Sequence, residues 1–425
     1  MKRMRTSAQA ILVLILALVA PSAVRAQGVV LKAARMLDVV SGQIQSPAVI
    51  VVTGDRITSI GGPIPRGARV IDLGDVTLLP GLIDAHTHLT DDIEGDWVNR
   101  SVNETAADAA LRGARNAKLT LEAGFTTVRD VGSHGFADVS LMHAIDNGFV
   151  PGPRIIPAGH AIGITGGHCD ETGRAPGVLE LGPEQGVADG VDAVVRAVRF
   201  QAKHGAKVIK ICATAGVLSL DATVGAQQLS FEEMRAIVEE ASRQGLKVAA
   251  HAHGPAGIYT AVRAGVASIE HGSMLDDSTI ALMIARGTYL VPTAYLQQTV
   301  DIDHLPPPIA AKARLIFPLA RASHRRAIQA GVKIAFGTDA AVMPHGQNAH
   351  EFGAYVDYGM SPLNALRTAT TNAADLLGVT DRALLAPGRL ADIIAVPGNP
   401  LTDIHVTEHV SFVMKGGVVV RGAGQ

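Results

Sequence analysis

The chain has 425 residues, of which 48% are hydrophobic and 18% are charged, so it can bury a large core, as one α/β barrel or as two domains. Its formal net charge is −2, and this weakly acidic balance argues against nucleic acid or an anionic membrane surface as the main partner. Cys169 and Cys212 are its only cysteines, which excludes a disulfide framework and leaves their pairing open.

Residues 1–26 have the pattern of a secretory signal peptide. Basic residues near the start precede an apolar run, 10–20, and the small residues Val24 and Ala26 occupy the −3 and −1 positions of a cleavage site after about Ala26. The apolar run is short for a membrane span, and an uncleaved anchor is the alternative. We therefore expect an exported protein, periplasmic or secreted, with no stable membrane insertion.

The two ends of the remaining chain share one pattern. Residues 27–79 contain short alternating segments separated by turns, such as Ala48–Val52 and Ile57–Ile60, and residues 385–425 look alike. We expect these two segments to pair into one small β-sandwich domain beside a central domain of residues 80–384.

The central domain begins with the stretch from Gly81 to Leu89, GLIDAHTHL, which follows an apolar strand. Side chains two residues apart in a strand point to the same side, so His86 and His88 can aim their imidazoles at one point. Two neutral imidazoles at a strand end form half of a zinc-type site. Two histidines at a merely polar strand end are the alternative, and this stretch alone does not decide between them.

A regular alternation of strands and helices follows. Short apolar segments recur, each after a helical stretch that ends in Gly, which suits the left-handed residue beyond a helix end. Strands that are apolar throughout belong to a parallel sheet covered on both faces. This pattern predicts an α/β fold, a (β/α)8 TIM barrel, with an open doubly wound sheet as the alternative. The predicted strands are Val76–His86, Phe125–Asp130, Arg154–Ala158, Val208–Ala213, Lys247–His251, Ala267–His271, Thr288–Thr293 and Lys333–Asp339.

Polar residues occupy the carboxyl ends of several of these strands, where the working residues of such a barrel lie. Besides the first pair, they are His251, His253, Glu270, His271 and Asp339. Lys210 lies inside the apolar fourth strand, where a charged amine is costly unless it is paired or neutralised. A salt bridge to a nearby carboxylate would satisfy it, and so would reaction with carbon dioxide to a carbamate that bridges two metal ions. The histidines and the aspartate expected at the same edge favour the carbamate.

This ordered set of residues resembles the metal-dependent amidohydrolase superfamily. More narrowly, it is similar to the imidazolonepropionase-like and prolidase-like branch, which includes ochratoxin-hydrolysing amidohydrolases. The likeness covers essentially the whole chain after residue 26, and the ordered series of motifs is far more specific than any one of them. The matching segments are GDRI at 54–57, PGLIDAHTH at 80–88, TTVRD at 126–130, ITGGH at 164–168, AHAHG at 250–254, GTD at 337–339 and GRLADI at 388–393.

The resemblance implies two divalent metal ions, with zinc best suited to imidazole and carboxylate ligands, and carbon dioxide bound as the carbamate on Lys210. Water activated by the metals would attack the scissile carbonyl, and Asp339 would pass the proton to the leaving amine. The implied ligands are His86, His88 and Asp339 for the more buried ion, His251 and His271 for the second, and carboxylated Lys210 as the bridge.

Four residues are expected to contact the substrate. His253 faces the metal side of its strand, so it is either a ligand or, as the resemblance implies, a contact to the substrate carbonyl or carboxylate. The others are His168 in the Gly-Gly-His loop, Arg129 at the end of the second strand and Tyr295 in a loop at the same edge; the alternative for Arg129 is a structural salt bridge. Five further histidines are predicted to be surface or structural residues: His204, His304, His324, His405 and His409.

The predicted metal ligands and substrate contacts indicate amide hydrolysis as the function. The resemblance implies cleavage of a small-molecule amide between an acyl group and an α-amino acid, in dipeptides or N-acyl amino acids, with ochratoxin A, split into ochratoxin alpha and phenylalanine, as one candidate. A cyclic-amide hydrolase of the imidazolonepropionase type is the runner-up. An exported metal-binding or solute-binding protein without turnover is a third alternative, although it would have little use for Asp339 or Lys210. Oligomers are common in this branch, so we expect a homo-oligomer of a size that the sequence does not specify.

Overall fold

The computed structural model describes residues 28–220 and 223–422. The predicted signal peptide lies outside these residues. Within them, no helix is both long enough and apolar enough to cross a membrane.

Strands and helices alternate along most of the described chain. The strands are β1 (Val29–Ala33), β2 (Arg35–Leu37), β3 (Ile44–Gln45), β4 (Ala48–Thr53), β5 (Arg56–Ile60), β6 (Arg69–Asp72), β7 (Val76–Pro80), β8 (Leu82–Thr87), β9 (Phe125–Asp130), β10 (Arg154–Pro157), β11 (Ile209–Cys212), β12 (Val248–Ala252), β13 (Ser268–His271), β14 (Tyr289–Val291), β15 (Ile393–Pro397), β16 (Phe412–Lys415) and β17 (Val418–Arg421). The α-helices are α1 (Arg100–Asn103), α2 (Ala106–Glu122), α3 (Ala137–Asp146), α4 (Val191–Lys203), α5 (Phe231–Arg243), α6 (Pro255–Ala264), α7 (Asp277–Arg286), α8 (Leu296–Thr299), α9 (Pro307–Ala330), α10 (His350–Asp357), α11 (Pro362–Arg367) and α12 (Ala373–Leu377).

The two ends of the chain meet in one sheet. In this six-stranded sheet the order is β17-β16-β15-β7-β2-β3, and β15 pairs antiparallel with β7. A four-stranded sheet of order β5-β4-β1-β6 packs against it. Leu31 and Ile50 contribute to their common core from the smaller sheet, and Ile393 and Phe412 contribute from the larger. Each sheet therefore covers the apolar side of the other.

The central part of the chain forms parallel sheets with helices between successive strands. One sheet has the order β10-β9-β8 and the other the order β11-β12-β13-β14. Their strands are buried along almost their whole length, as sheets covered on both faces require. Isolated parallel bridges outside the named strands join Ile162 to Ile211, Leu290 to Ile334 and Thr87 to Ala340.

Two predicted strands differ from the observed ones. The expected strand Val76–His86 is divided at Gly81, so that β7 belongs to the terminal sheet and β8 to the parallel one. A Cβ at Gly81 would lie 2.3 Å from Thr126 Oγ1, which shows how closely the chain passes β9 at this point. The expected eighth strand, Lys333–Asp339, makes only isolated bridges, because the N–H of Phe336 donates to the carbonyl of Thr368 rather than to a neighbouring strand.

Several of the glycines that the sequence places after helical stretches do lie at helix ends. Helices α6, α7 and α9 are followed by Gly265, Gly287 and Gly331, each in the left-handed conformation. At the start of α2, Thr105 and Asp108 form a capping box. Short loops therefore lead from these helices into the next segment and place the carboxyl ends of the parallel strands at one edge.

A disulfide joins Cys169 to Cys212, with their Cα atoms 5.8 Å apart. Cys212 is the last residue of β11, which also carries Lys210, and Cys169 directly follows His168 in the loop after β10. The pairing that the sequence left open therefore ties the Gly-Gly-His loop to the strand of Lys210.

Candidate active site

Three predicted ligands come together where the parallel strands end. His86 lies in β8, His88 follows that strand, and Asp339 directly precedes Ala340, which bridges to Thr87 of β8. The Nε2 atoms of His86 and His88 lie 3.4 and 3.5 Å from Asp339 Oδ1, and the ligand atoms of all three residues lie within 4.8 Å of one another. Two imidazoles and a carboxylate at this spacing fit a single divalent ion of the zinc type.

Hydrogen bonds determine which nitrogen of these two histidines faces the site. His88 Nδ1 lies 2.9 Å from the carbonyl oxygen of Gly132, and His86 Nδ1 lies 2.8 Å from Glu270 Oε2. Because a carbonyl and a carboxylate only accept, each Nδ1 carries the hydrogen and each Nε2 keeps its lone pair. Both lone pairs are therefore available beside Asp339, as binding of a cation requires.

Glu270 connects His86 to Arg129 behind the site. Arg129 Nη2 donates to Glu270 Oε1 at 2.7 Å, and the two side chains are 1% and 0% exposed. The same guanidinium donates to the carbonyl of Ala85 and to Ser268 Oγ. Burial raises the pKa of Glu270, but Arg129 and His86 outweigh it and bring that pKa to about 2, so the carboxylate stays charged. Of the two alternatives for Arg129, the structure supports the structural salt bridge behind the ligands.

The other predicted histidines cluster beside this group. The ring centroid of His271 lies 4.9 Å from that of His86 and 4.8 Å from that of His251. His168 lies over His251 at 4.1 Å, and His253 lies 4.6 Å from the same ring. Burial lowers the pKa of His251 and His271 well below the usual value, so these imidazoles are neutral and able to bind a metal.

Two of these rings have a nitrogen available for a second ion. His271 Nδ1 lies 2.8 Å from Thr293 Oγ1, whose own hydrogen goes to the carbonyl of Pro292; Nδ1 is therefore the donor, and Nε2 keeps its lone pair. His251 Nε2 is buried and has no hydrogen-bond partner within residues 28–220 and 223–422. A buried acceptor without a partner is costly, and a metal ion would satisfy it. His251 and His271 thus fit a second ion.

Lys210 lies in β11 and is 4% exposed. Burial lowers the pKa of its amine to about 8, although the charges of Glu270 and Asp339 act in the opposite direction. Among the residues that the structure describes, Lys210 forms no salt bridge, which leaves the alternative of a paired amine without support. The neutral amine is the form that reacts with carbon dioxide, so the setting is chemically suited to a carbamate.

The turn that carries Asp339 is held by a buried network. Asp339 has a φ of 59°, and its N–H donates to the carbonyl of His86 at 2.8 Å. Beneath it, Asp84 accepts hydrogen bonds from Thr338 Oγ1 at 2.6 Å and from Asn348 Nδ2 at 2.8 Å. Burial raises the pKa of the Asp339 carboxyl, but the neighbouring histidines, His86 foremost, hold that pKa well below its usual range. The carboxylate is therefore ionised and fixed in place.

A cavity, partly open to solvent, lies over these residues. His168, His251, His253, His271 and Asp339 form a polar part of its wall. Much of the remaining wall is apolar and comes from the loop after β11, the segment after β14 and α9, with Val217, Leu218, Leu296, Val300, Ile316 and Phe317.

The structure adds detail to two further predicted residues, Tyr295 and His324. The ring of Tyr295 stacks on that of His350, with 5.0 Å between centroids. The next residue, Leu296, lines the cavity, whereas Tyr295 is not among its described lining residues, and the substrate contact of Tyr295 stays a prediction. His324, predicted to be a surface or structural residue, is 1% exposed and lines the cavity from α9. Its Nε2 donates to the carbonyl of His271 at 2.6 Å, so it belongs to the surroundings of the site.

The residues that orient these histidines had no role assigned to them from the sequence. Glu270 orients His86, Thr293 orients His271, and Ser273 Oγ lies 2.7 Å from the Nδ1 of His253. A signal existed for Glu270, since a charge in a buried strand needs a partner. Nothing in the sequence distinguishes Ser273 or Thr293 from other small polar residues.

The chain is similar to several known proteins in sequence and in structure. The amidohydrolase family model matches residues 77–420. Ochratoxinase from Aspergillus niger is 37% identical over 377 residues, which cover 82% of this chain and 76% of that protein. The crystal structure of a Xaa-Pro dipeptidase with methionine bound in its active site superposes with a TM-score of 0.89 and 39% identity, over 93% of this chain and 100% of that one. The crystal structure of A. niger ochratoxinase superposes with a TM-score of 0.84 and 34% identity, over 94% and 97% of the two chains.

The family match spans most of the chain, including every predicted ligand. It confirms the resemblance first seen in the motifs, and the similar solved structures share the family's fold of the TIM barrel type. The chain therefore belongs to the amidohydrolase family and is a hydrolase that acts on amide bonds.

Proposed function

We propose that the chain is a binuclear-metal amidohydrolase that releases an amino acid from N-acyl amino acids or dipeptides. Ochratoxin A, cleaved to ochratoxin alpha and phenylalanine, is part of the same proposal. The observation that carries it is the cavity in which a cluster of histidines and Asp339 meets an apolar wall. Similarity to an ochratoxinase and to a Xaa-Pro dipeptidase supports a substrate that ends in an amino acid.

The apolar wall supports a large apolar group in the substrate. Contact with side chains such as Leu296, Ile316 and Phe317 would gain about 25 cal/mol for each Å² of apolar surface removed from water. Apart from Asp339 in the polar part, the described lining residues include no lysine, arginine, aspartate or glutamate. An acidic or basic side chain would therefore be desolvated at the apolar wall without a partner. Phenylalanine and methionine side chains suit this surface, and the dipeptidase relative holds methionine in its active site.

The donor set fits two divalent ions, zinc foremost. When bound, such ions supply an activated water molecule and polarise the scissile carbonyl. His86 and His88 would hold one ion with Asp339, and His251 and His271 would hold the other. Asp339, ionised at the cavity wall, can take up a proton and deliver it to the leaving nitrogen. His168 and His253 can orient the carbonyl or the carboxylate of the substrate.

Carbamylation of Lys210 would supply the bridging ligand. Its amine nitrogen would form a bond to the carbon of carbon dioxide and lose a proton, which converts a buried amine into a carboxylate. Two observations support this modification. Lys210 forms no salt bridge in the described chain, and it lies near both proposed sets of metal ligands. A carboxylate between two cations is also far less costly to bury than an unpaired ammonium.

Export, self-association and the finer architecture belong to the same proposal. The pattern of residues 1–26 supports cleavage of a signal peptide and a periplasmic or secreted enzyme that meets peptides or foreign amides outside the cytoplasm. The homo-oligomer stays a prediction. The isolated bridges at Ile334 and Ala340 support closure of an eight-stranded barrel through the segment 333–339, and the shared core of the terminal sheets supports one small β-sandwich domain.

Amino-acid release from a substrate panel tests the proposal. Purified residues 27–425, supplied with zinc and bicarbonate, would be incubated with apolar, acidic and basic dipeptides, N-acyl amino acids and ochratoxin A, beside a chelated control. We expect chelator-sensitive release that is fastest from apolar substrates. No release from any open-chain amide with the metals present would contradict the proposal and favour a cyclic amide instead.

A further inference from the structure

The turn after β13 adopts a conformation that few residue types favour. His271 has a φ of 69° and Gly272 a φ of 61°, so two consecutive residues lie in the left-handed region. Glycine adopts this conformation at no steric cost, whereas a histidine adopts it only where the surrounding structure holds it. This turn sets the direction of the His271 imidazole, and contacts with neighbouring residues have to stabilise the left-handed conformation.

Two adjacent residues of α9 provide that support. His324 Nε2 donates to the carbonyl of His271 at 2.6 Å, and Ser323 Oγ donates to the carbonyl of Gly272 at 2.8 Å. The same Ser323 oxygen accepts the N–H of Leu275 at 2.9 Å. Both side chains are buried, so these hydrogen bonds do not compete with water. The carbonyls of both left-handed residues are thus bound to one helix.

The hydrogen-bond donor of His324, rather than its size, explains why a histidine occupies this position. A carbonyl only accepts, so Nε2 carries the hydrogen and Nδ1 keeps a lone pair. His324 Nδ1 is buried and has no hydrogen-bond partner in the part of the chain that the structure describes, which is unfavourable. Leucine would fill similar space without this cost, so packing alone does not explain a histidine at this position.

The same helix forms part of the substrate cavity. Ile316, Phe317 and Ala320 line it from α9, as His324 does. On the other side of His271, Thr293 fixes the ring through Nδ1. The wall that would contact an apolar substrate group and the support of a proposed metal ligand are therefore parts of one helix.

We infer that Ser323 and His324 form a clamp that positions His271, and that α9 thereby couples the apolar wall of the cavity to the second metal site. The clamp comprises these two residues and their hydrogen bonds to the turn. The inference rests on the proposed function, in which His271 binds the second ion. Ser323 and His324 act through His271 and are positioning residues.

Metal retention by the purified holoenzyme tests the clamp. Zinc per chain would be measured during exchange against a chelator for the wild type, His324→Leu and His324→Gln. Glutamine can place an amide N–H near the position of Nε2, whereas leucine cannot. We expect His324→Leu to hold one of its two ions about 10–100-fold more weakly than the wild type, the range for loss of a ligand-orienting group. His324→Gln should retain most of that affinity.

The controls separate the clamp from the two-metal proposal. His304→Leu changes a histidine that is 86% exposed and should behave as the wild type. Fewer than two ions in the wild type would overturn the two-metal proposal and the clamp with it. Two ions held equally tightly by the wild type and His324→Leu would overturn the clamp alone, as would equal losses in the leucine and glutamine variants. Should His324→Leu fail to fold, weaker retention of one ion by Ser323→Ala than by His304→Leu would support the clamp, and equal retention would overturn it.

Discussion

Replacing Glu270 with glutamine would remove one negative charge at almost constant size. In the wild type this carboxylate accepts from His86 Nδ1 at 2.8 Å and from Arg129 Nη2 at 2.7 Å. Arg129 is 1% exposed, so the substitution leaves a buried cation without its counter-charge. The glutamine amide would also no longer act as a charged acceptor behind His86.

Two magnitudes follow from this arrangement. Removal of one partner of a buried ion pair costs about 3–5 kcal/mol, so we expect the free energy of unfolding of Glu270→Gln to fall by this amount. Loss of the carboxylate behind a ligating histidine lowers metal affinity about 10–100-fold, which corresponds to about 1.4–2.7 kcal/mol of binding. Urea denaturation of the metal-free protein measures the first effect, and competition with a chelator measures the second.

A double variant separates the two effects. Glu270→Gln combined with Arg129→Met removes the orphaned cation, so part of the lost stability should return while the metal affinity stays low. Wild-type metal affinity in Glu270→Gln would refute the reasoning. Recovery of the affinity in the double variant would also refute it, because Glu270 would then serve only to balance the charge of Arg129.

Three further changes have defined outcomes. Asp339→Asn should lower kcat at least about 100-fold with an unchanged far-UV circular dichroism spectrum, and an unchanged kcat would exclude Asp339 as the proton carrier. Burial raises the pKa of Glu351 from 4.5 to about 8, so the folded state keeps a proton that the unfolded state releases; wild-type stability should therefore fall as pH rises from about 4.5 to about 8. Glu351→Gln should reduce this dependence of the free energy of unfolding on pH, measured by urea denaturation at each pH. An unaltered dependence would contradict protonation of Glu351 in the folded state. Reduction of the Cys169–Cys212 disulfide should raise KM more than it lowers kcat, because it frees the loop that holds His168 over the site; equal kinetics before and after reduction, with thiols counted, would contradict this.

Local patterns explain why the proposed ligands could be found in the sequence. His86 and His88 are separated by the strand period of two, and glycines such as Gly265 and Gly287 mark the helix ends that precede buried strands. These signals depend on a few neighbouring residues and need no knowledge of distant contacts. The motif series then associated the separate segments with one family.

Contacts between distant segments explain what the sequence did not show. Arg129 and Glu270 are 141 residues apart, and Asp84 and Asn348 are 264 residues apart. Only the fold brings such partners together, so the sequence left open whether Arg129 contacts the substrate or balances a buried acid. The division of the strand Val76–His86 at Gly81 has the same origin, since one apolar run serves two sheets.

Amino-acid release by the wild type and by Lys210→Ala tests whether the enzyme depends on a site bridged by carboxylated Lys210. Both proteins would be supplied with zinc and bicarbonate and given the best apolar substrate of the panel, with Lys203→Ala, a change at the end of α4, as the matched control. We expect chelator-sensitive release by the wild type and by Lys203→Ala, and none by Lys210→Ala with its fold intact. Release by Lys210→Ala at the wild-type rate would contradict a site bridged by a carboxylated lysine.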